Sequence, residues 1–155
     1  VGMTLNTRPE EIYRAYLEAT GLGLRVIIAN FLQHGGEINE IVAAGGLLKN
    51  KFLRQIYADS TRIPLSISGS NLAGSLGAAI YGAVAAGAYP NVYEAANAMG
   101  SKIEHAYVPN EDAAKKYDLL YEEYLTLHDY FGRGTNDVMA RLKGIQRSIH
   151  ERKNS

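Results

Sequence analysis

The chain has 155 residues, 46% of them hydrophobic, which is enough for one domain with an apolar core. Sixteen Lys and Arg residues balance sixteen Asp and Glu residues, so the chain lacks the basic field that attracts nucleic acid, and we expect no nucleic-acid partner. The sequence has no cysteine, which excludes disulfides and thiolate metal sites. The sequence has four histidines, which are His34, His105, His128 and His150. They are too far apart for a local zinc motif, and we predict no metal site.

The N-terminal part predicts a long helix. Pro9 suits the first helical position, and apolar residues then recur at helical spacing until Gly35–Gly36. Gly21 and Gly23 lie inside this helix, where glycine is unfavourable, so we expect another element to pack closely there. We expect no signal peptide, because the N-terminus has neither a basic region nor a long apolar one, and because the chain opens with Val1 and not with methionine we expect it to be part of a longer polypeptide.

The next segment is the most informative. An apolar strand over residues 41–44 runs into Gly45–Gly46, and helical periodicity then predicts a helix from about Leu48 to Asp59. Glycines between a strand and a helix can present backbone N–H groups to a phosphate, although the same turn also fits a tight connection with no ligand. Asn50 is expected in the first helical turn, with a carboxamide that both donates and accepts hydrogen bonds.

The rest of the chain continues the alternation of strands and helices. We predict a strand over Ile63–Ile67 and a helix rich in small residues that is capped by Ser70 or Asn71, ends near Ala86 and approaches a neighbour or ligand closely. A short helix ending at Met99, an extended segment over 105–108, a long helix after Asn110 and an amphipathic helix from Val138 follow. This order indicates an α/β layer architecture.

Several side chains are assigned to structure or solvent. We expect Glu37, Glu40 and Asp59 to be solvated carboxylates, and Lys49 and Lys51 to be solvated helix charges. No charged residue lies between Arg62 and Glu94, but the apolar part is at the lower limit for a membrane span, so we expect burial in a protein core. The aromatic stripe of the long helix is expected in the core: Tyr117, Leu120, Tyr121, Tyr124, Leu125, His128 and Phe131.

The order of motifs resembles the C-terminal part of the FGGY carbohydrate kinases over about residues 2–145. The resemblance rests on matching residues at matching distances: residues 2–7, residues 14–19 with Arg25, the block 45–55, Ile63–Pro64 and Leu76–Ala79. The segments 76–90 and 117–132 look most similar to the bacterial members that phosphorylate L-ribulose. A departure from the family is Ser70–Asn71, where many members carry an acidic residue.

The resemblance implies an α/β fold that is helix-rich with a short sheet, the C-terminal part of an actin-like ATPase (ribonuclease H-like) domain. It implies residues 1–155 as a nucleotide-binding portion with a helical extension over about 110–150. ATP and Mg²⁺ are the implied cofactors, and Gly45, Gly46 and Asn50 the nucleotide-binding residues, with Gly46 near the phosphates and Asn50 at the adenine end. The catalytic base and most of the sugar pocket belong to a missing N-terminal part, so no catalytic residue is assigned here.

The implied activity is phosphorylation of a pentulose, with a cytoplasmic location, a role in arabinose catabolism and no membrane partner. A xylulose kinase or another FGGY sugar kinase is the alternative within the family. A non-catalytic nucleotide-binding module of actin-like ancestry is the alternative from another class. Homo-oligomerisation is left open.

Overall fold

The structure is a computed structural model that describes residues 2–153. It divides into two compact units, residues 1–115 and residues 116–155, which are taken separately. The elements in chain order are α1 (Pro9–Gln33), β1 (Ile41–Ala43), a 3₁₀ turn (Gly46–Lys49), α2 (Lys51–Thr61), β2 (Leu65–Ser68), α3 (Ala73–Ala85), α4 (Val92–Met99), β3 (Lys102–Tyr107), α5 (Glu111–Gly132) and α6 (Val138–Lys153).

The first unit contains a small mixed sheet in the order β1-β2-β3. Strand β1 pairs in parallel with β2, with Ile41 opposite Leu65, and β2 pairs antiparallel with β3. The α/β expectation is confirmed. Strand β3 is longer than the predicted extended segment and pairs with an irregular register next to His105, whose φ is 44°.

The core of the first unit lies between this sheet and α2. Ala43, Ala58 and Leu65 are buried together, and Tyr57 and Tyr107 pack against them. Apolar and polar residues alternate along β2, and Ala43 of β1 and Leu65 of β2 are buried with Ala58 of α2, so one face of the sheet meets α2. This packing holds the carboxyl ends of β1 and β2 side by side.

Helix α1 packs against α2 at Gly21. A Cβ built on Gly21 would lie 2.6 Å from Ser60 Oγ and 3.2 Å from Ile56 Cγ2, so only glycine allows this approach. The expected close packing is therefore confirmed at Gly21. By length and composition alone, helix α1 could cross a membrane. Core helices of globular proteins meet the same two criteria.

Helix α3 differs from the prediction at its start and along its length. It begins at Ala73 with Leu72 as its N-cap, because Ser70 Oγ accepts a hydrogen bond from Leu72 N at 3.1 Å and closes a turn before the helix. Its end is as predicted, with Gly87 at φ 75°. Within the described residues nothing lies within 4 Å of a Cβ built on Gly74, Gly77 or Gly82, so the expected close approach is not made by the described chain.

The second unit consists of most of α5 and of α6. Asn110 caps α5 as predicted, since its Oδ1 accepts a hydrogen bond from Ala113 N at 3.0 Å. In the aromatic stripe Tyr117 is buried, but Leu120 and Phe131 are exposed, so the stripe is only partly a core. Helix α6 begins at Val138 as predicted and continues to Lys153, and residues 154 and 155 lie outside the described residues.

Candidate functional site

The candidate site is a cavity at the edge of the sheet where β1 and β2 end. Because these strands are parallel, their carboxyl ends share one edge, which is where α/β sheets bind ligands. The cavity has a volume of about 410 Å³. Its lining comes from the ends of both strands, the turns after them and α2: Ala43, Ala44, Gly45, Gly46, Lys49, Arg54, Ile67, Ser68, Ser70 and Asn71.

Gly45 is required by the backbone conformation of the turn. Its φ of 89° and ψ of 179° lie in a region that is open to glycine and strained for residues with a Cβ. Gly46 has no positive φ, and a Cβ on it would meet nothing within 4 Å among the described residues. Neither the backbone nor packing within this part of the chain therefore demands glycine at position 46, and the main chain there is open to the cavity.

We predicted that the glycines lead directly into an α-helix, and this is wrong. Gly46–Lys49 forms a 3₁₀ turn, and α2 begins only at Lys51. The reason is Asn50, which has extended backbone angles and acts as the N-cap: its Oδ1 accepts hydrogen bonds from Phe52 N at 2.9 Å and Leu53 N at 3.4 Å. The positive end of the α2 dipole thus lies at Asn50, one 3₁₀ turn beyond the glycines.

Of the sequence-predicted site residues, Gly45 and Gly46 line the cavity and Asn50 does not. The Oδ1 atom of Asn50 is used in capping, and the side chain retains its Nδ2 donors for a ligand. An adenine contact by Asn50 stays a prediction.

The cavity is lined by cations, and no carboxylate side chain appears among its described lining residues. Lys49 and Lys51 are both exposed, as expected, and Lys49 also borders the cavity, whereas Lys51 does not. Arg54 was not singled out from the sequence. Its side chain is half-buried, and its guanidinium carbon lies 5.7 Å from the centre of the Tyr107 ring, within cation–π range. The described lining therefore contains two basic side chains and no acidic one.

A polar cluster joins β3 to the start of β1. The carboxylate of Glu40 accepts hydrogen bonds from Ser66 Oγ and from Lys102 Nζ, the latter at 2.5 Å. The hydrogen bond from Lys102 lowers the pKa of Glu40, and the same bond raises the pKa of Lys102. His105 N donates to Ser66 Oγ at 2.8 Å. The expectation that Glu40 is a solvated carboxylate is wrong, because β3 brings Lys102 to it.

Asp59 is also not a solvated carboxylate. It is buried near the end of α2, where its Oδ1 accepts hydrogen bonds from Gln55 Nε2 at 2.8 Å and from Asn110 N at 2.7 Å. Asp59 therefore fixes the start of α5, and its role is structural. Glu37 is exposed, as expected.

Comparison with known proteins finds similarity to carbohydrate kinases. Residues 1–86 match the C-terminal domain of the FGGY family of carbohydrate kinases. A ribulokinase of Halalkalibacterium halodurans is 47% identical over 100% of this chain and 28% of its own length, and one of Anoxybacillus flavithermus is 50% identical over 92% of this chain and 26% of its own length. A ligand-bound xylulose kinase of Lactobacillus acidophilus superposes with a TM-score of 0.74 at 26% identity, covering 83% of this chain and 26% of that one.

The chain thus spans little more than a quarter of the length of the curated relatives that it matches. The family match covers more than half of its residues, and the superposition on the structural neighbour covers 83% of them. The chain belongs to the FGGY family of carbohydrate kinases.

Proposed function

We propose that the chain is the C-terminal, nucleotide-binding portion of an ATP-dependent kinase that converts L-ribulose to L-ribulose 5-phosphate. The observation that carries the proposal is the 47% identity to a ribulokinase over the whole of this chain. The xylulose kinase that superposes on it is only 26% identical, which favours L-ribulose over D-xylulose as the substrate.

In the proposed enzyme the cavity holds the nucleotide. Backbone N–H groups of Gly45 and Gly46 donate to the phosphates, and the Nδ2 atom of Asn50 donates to the adenine end. The open main chain at Gly46 and the cationic lining of the cavity support this assignment. The alternative of a non-catalytic nucleotide-binding module would use the same cavity without phosphoryl transfer.

This part of the chain positions the phosphates and does not supply the chemistry. Phosphoryl transfer needs a base for the attacking hydroxyl and compensation of the charge on the moving phosphoryl group. Within residues 2–153 no group of three or more acidic or histidine side chains could hold a metal ion. The base comes, in this proposal, from the N-terminal part of the enzyme.

A cytoplasmic location and a role in arabinose catabolism belong to the same proposal. ATP is available in the cytoplasm, and phosphorylation traps a sugar there as an anion. The proposal does not depend on oligomeric state.

The test is ADP formation by the complete polypeptide with ATP and either L-ribulose or D-xylulose, with the phosphorylated sugar identified in each case. We expect a higher kcat/KM for L-ribulose. A higher kcat/KM for D-xylulose would show that D-xylulose, and not L-ribulose, is the preferred substrate. If the polypeptide binds ATP but turns over no pentulose, the non-catalytic module is favoured.

A further inference from the structure

We propose that Asn71 binds the ribose hydroxyls of the nucleotide and makes the cavity favour ribonucleotides over deoxyribonucleotides. Asn71 lies beyond the end of β2, whereas the paired glycines of the proposed nucleotide site, on which this inference rests, lie beyond the end of β1. Because β1 and β2 are parallel neighbours, both segments border the same cavity. A nucleotide that fills this cavity therefore has the glycines on one part of its surface and Asn71 on another.

The turn after β2 fixes the main chain around Asn71. Gly69 N donates a hydrogen bond to Ser101 O at 2.8 Å, and a Cβ built on Gly69 would overlap the Ser101 side chain, so the turn lies tightly against the chain that enters β3. On the other side, Ser70 Oγ accepts a hydrogen bond from Leu72 N at 3.1 Å, a bond that closes turns. Asn71 is therefore held at the cavity before a ligand arrives, which lowers the cost of binding.

The side chain of Asn71 has both donors and an acceptor available for a ligand. Along the end of β2 and the turn after it, the cavity is lined by Ile67, Ser68, Ser70 and Asn71. The hydroxyl of Ser68 is used within the turn, since it accepts from Ser70 N at 3.3 Å and donates to Ser70 O at 3.4 Å. By contrast, Asn71 is exposed, and no described residue hydrogen-bonds to its carboxamide. Its Oδ1 can therefore accept while its Nδ2 donates.

This pattern of donors and acceptors matches the ribose. Phosphate oxygens only accept hydrogen bonds, and the four lining residues 67, 68, 70 and 71 carry no charge that would compensate a phosphate. A ribose hydroxyl both donates and accepts, so Oδ1 of Asn71 can accept from one hydroxyl of the vicinal pair while Nδ2 donates to the other. In the proposed complex the phosphates lie at Gly46, and the ribose is the next unit of the nucleotide, whereas the base is one unit further away. The hydroxyls are therefore the groups that Asn71 contacts.

The experiment measures the dissociation constants of ADP, 2′-deoxy-ADP, 3′-deoxy-ADP and IDP by isothermal titration calorimetry, for the complete polypeptide, Asn71→Ala and the control Asn97→Ala. Asn97 lies on α4, is exposed and does not border the cavity, so N97A removes the same side chain away from the site. IDP lacks the exocyclic amine of adenine and therefore reports a contact with the base. Circular dichroism melting verifies that both variants are folded, and the wild type with its four ligands tests the ribose contact without any substitution.

We expect the wild type to bind ADP about threefold to tenfold more tightly than either deoxynucleotide, the size of a hydrogen bond between neutral groups. N71A should weaken ADP and IDP binding by about the same factor and should weaken binding of the deoxynucleotides less, because they lack a partner for the carboxamide. N97A should bind all four ligands as the wild type does. Equal wild-type affinities for ADP and both deoxynucleotides would overturn the inference. An N71A loss that is equal for ADP and both deoxynucleotides but absent for IDP would also overturn it, because it would place Asn71 at the base.

The outcome separates this inference from the proposed function. If the wild type phosphorylates L-ribulose but N71A and N97A bind ADP equally well, the inference alone is wrong. If the wild type phosphorylates no pentulose but N71A loses the preference for ADP over the deoxynucleotides, the inference holds and the proposed reaction is wrong. Failure of the wild type to bind ADP would overturn both.

Discussion

Alanine at the two adjacent glycines should have different effects: Gly45→Ala should lower the free energy of unfolding, whereas Gly46→Ala should weaken ATP binding. At position 45, a Cβ is forced into the conformation with φ 89° and ψ 179°, which costs about 1–3 kcal/mol in the folded state. At position 46, φ is not positive and nothing among the described residues lies within 4 Å of the new methyl group. Gly46→Ala should therefore keep or raise the free energy of unfolding, by up to about 1 kcal/mol.

The effect on nucleotide binding follows from the length of a hydrogen bond. A backbone N–H that donates to a phosphate oxygen lies about 2.9 Å from it, and a methyl group on the same residue intrudes on that approach. Gly46→Ala should raise the KM for ATP by about tenfold or more, because a hydrogen bond to a charged group contributes roughly 1.5–3 kcal/mol. The KM for the sugar should change little.

The assay combines urea unfolding with steady-state kinetics in the complete polypeptide. Gly45→Ala should be the less stable variant, by about 2 kcal/mol relative to Gly46→Ala. If Gly46→Ala leaves the KM for ATP unchanged, the main chain at this position does not approach the phosphates. If Gly45→Ala is as stable as the wild type, the turn does not depend on the positive φ, and that part of the reasoning fails.

Four further predictions concern stability, capping and activity. Asn50→Ala should lose about 1 kcal/mol of stability as a lost N-cap, whereas Asn50→Asp keeps the cap; an unchanged KM for ATP in the Asp variant would show that the Nδ2 donors do not contact the nucleotide. Gly21→Ala should cost about 1–3 kcal/mol in urea unfolding through overlap with Ser60 Oγ, 2.6 Å from the new Cβ, and adding Ser60→Ala should recover part of the loss. The pKa of Glu40 is lowered in the folded state, so its contribution to stability is present above the ordinary value of 4.5 and is lost as the pH falls through the folded pKa; Lys102→Gln should flatten this dependence in unfolding curves measured against pH. The 155-residue chain by itself should show no ATP consumption with L-ribulose in a coupled assay, and turnover there would place the catalytic base within it.

The helices with local start and stop signals could be predicted from the sequence. Pro9 begins α1, Asn110 caps α5, and α4 ends at Met99. Helical periodicity predicts a start of α2 near Leu48, but the helix begins at Lys51 because Asn50 acts as its N-cap. The first residue of β3, Lys102, could not be read from propensity, because this strand exists through its pairing with β2.

The site was predictable only where it is local. Gly45 and Gly46 are adjacent and carry their own conformational signal. The other side of the cavity, Ser68 to Asn71, reaches them through the parallel pairing of β1 with β2, which connects residues more than twenty positions apart. The hydrogen bond from Lys102 to Glu40 likewise crosses 62 positions. No local sequence pattern marks such contacts. That Arg54 borders the cavity is likewise visible only in the folded structure.

The composition of the cavity lining also indicates how the proposed enzyme divides its chemistry. A base that accepts the proton of a sugar hydroxyl must lie within hydrogen-bond reach of that hydroxyl, and a carboxylate is the usual choice in kinases. The described lining has Lys49 and Arg54 but no carboxylate, and the buried Asp59 is already held by the start of α5. In the proposed enzyme the base therefore comes from the N-terminal part of the polypeptide, and the described cavity contributes main-chain donors to the phosphates.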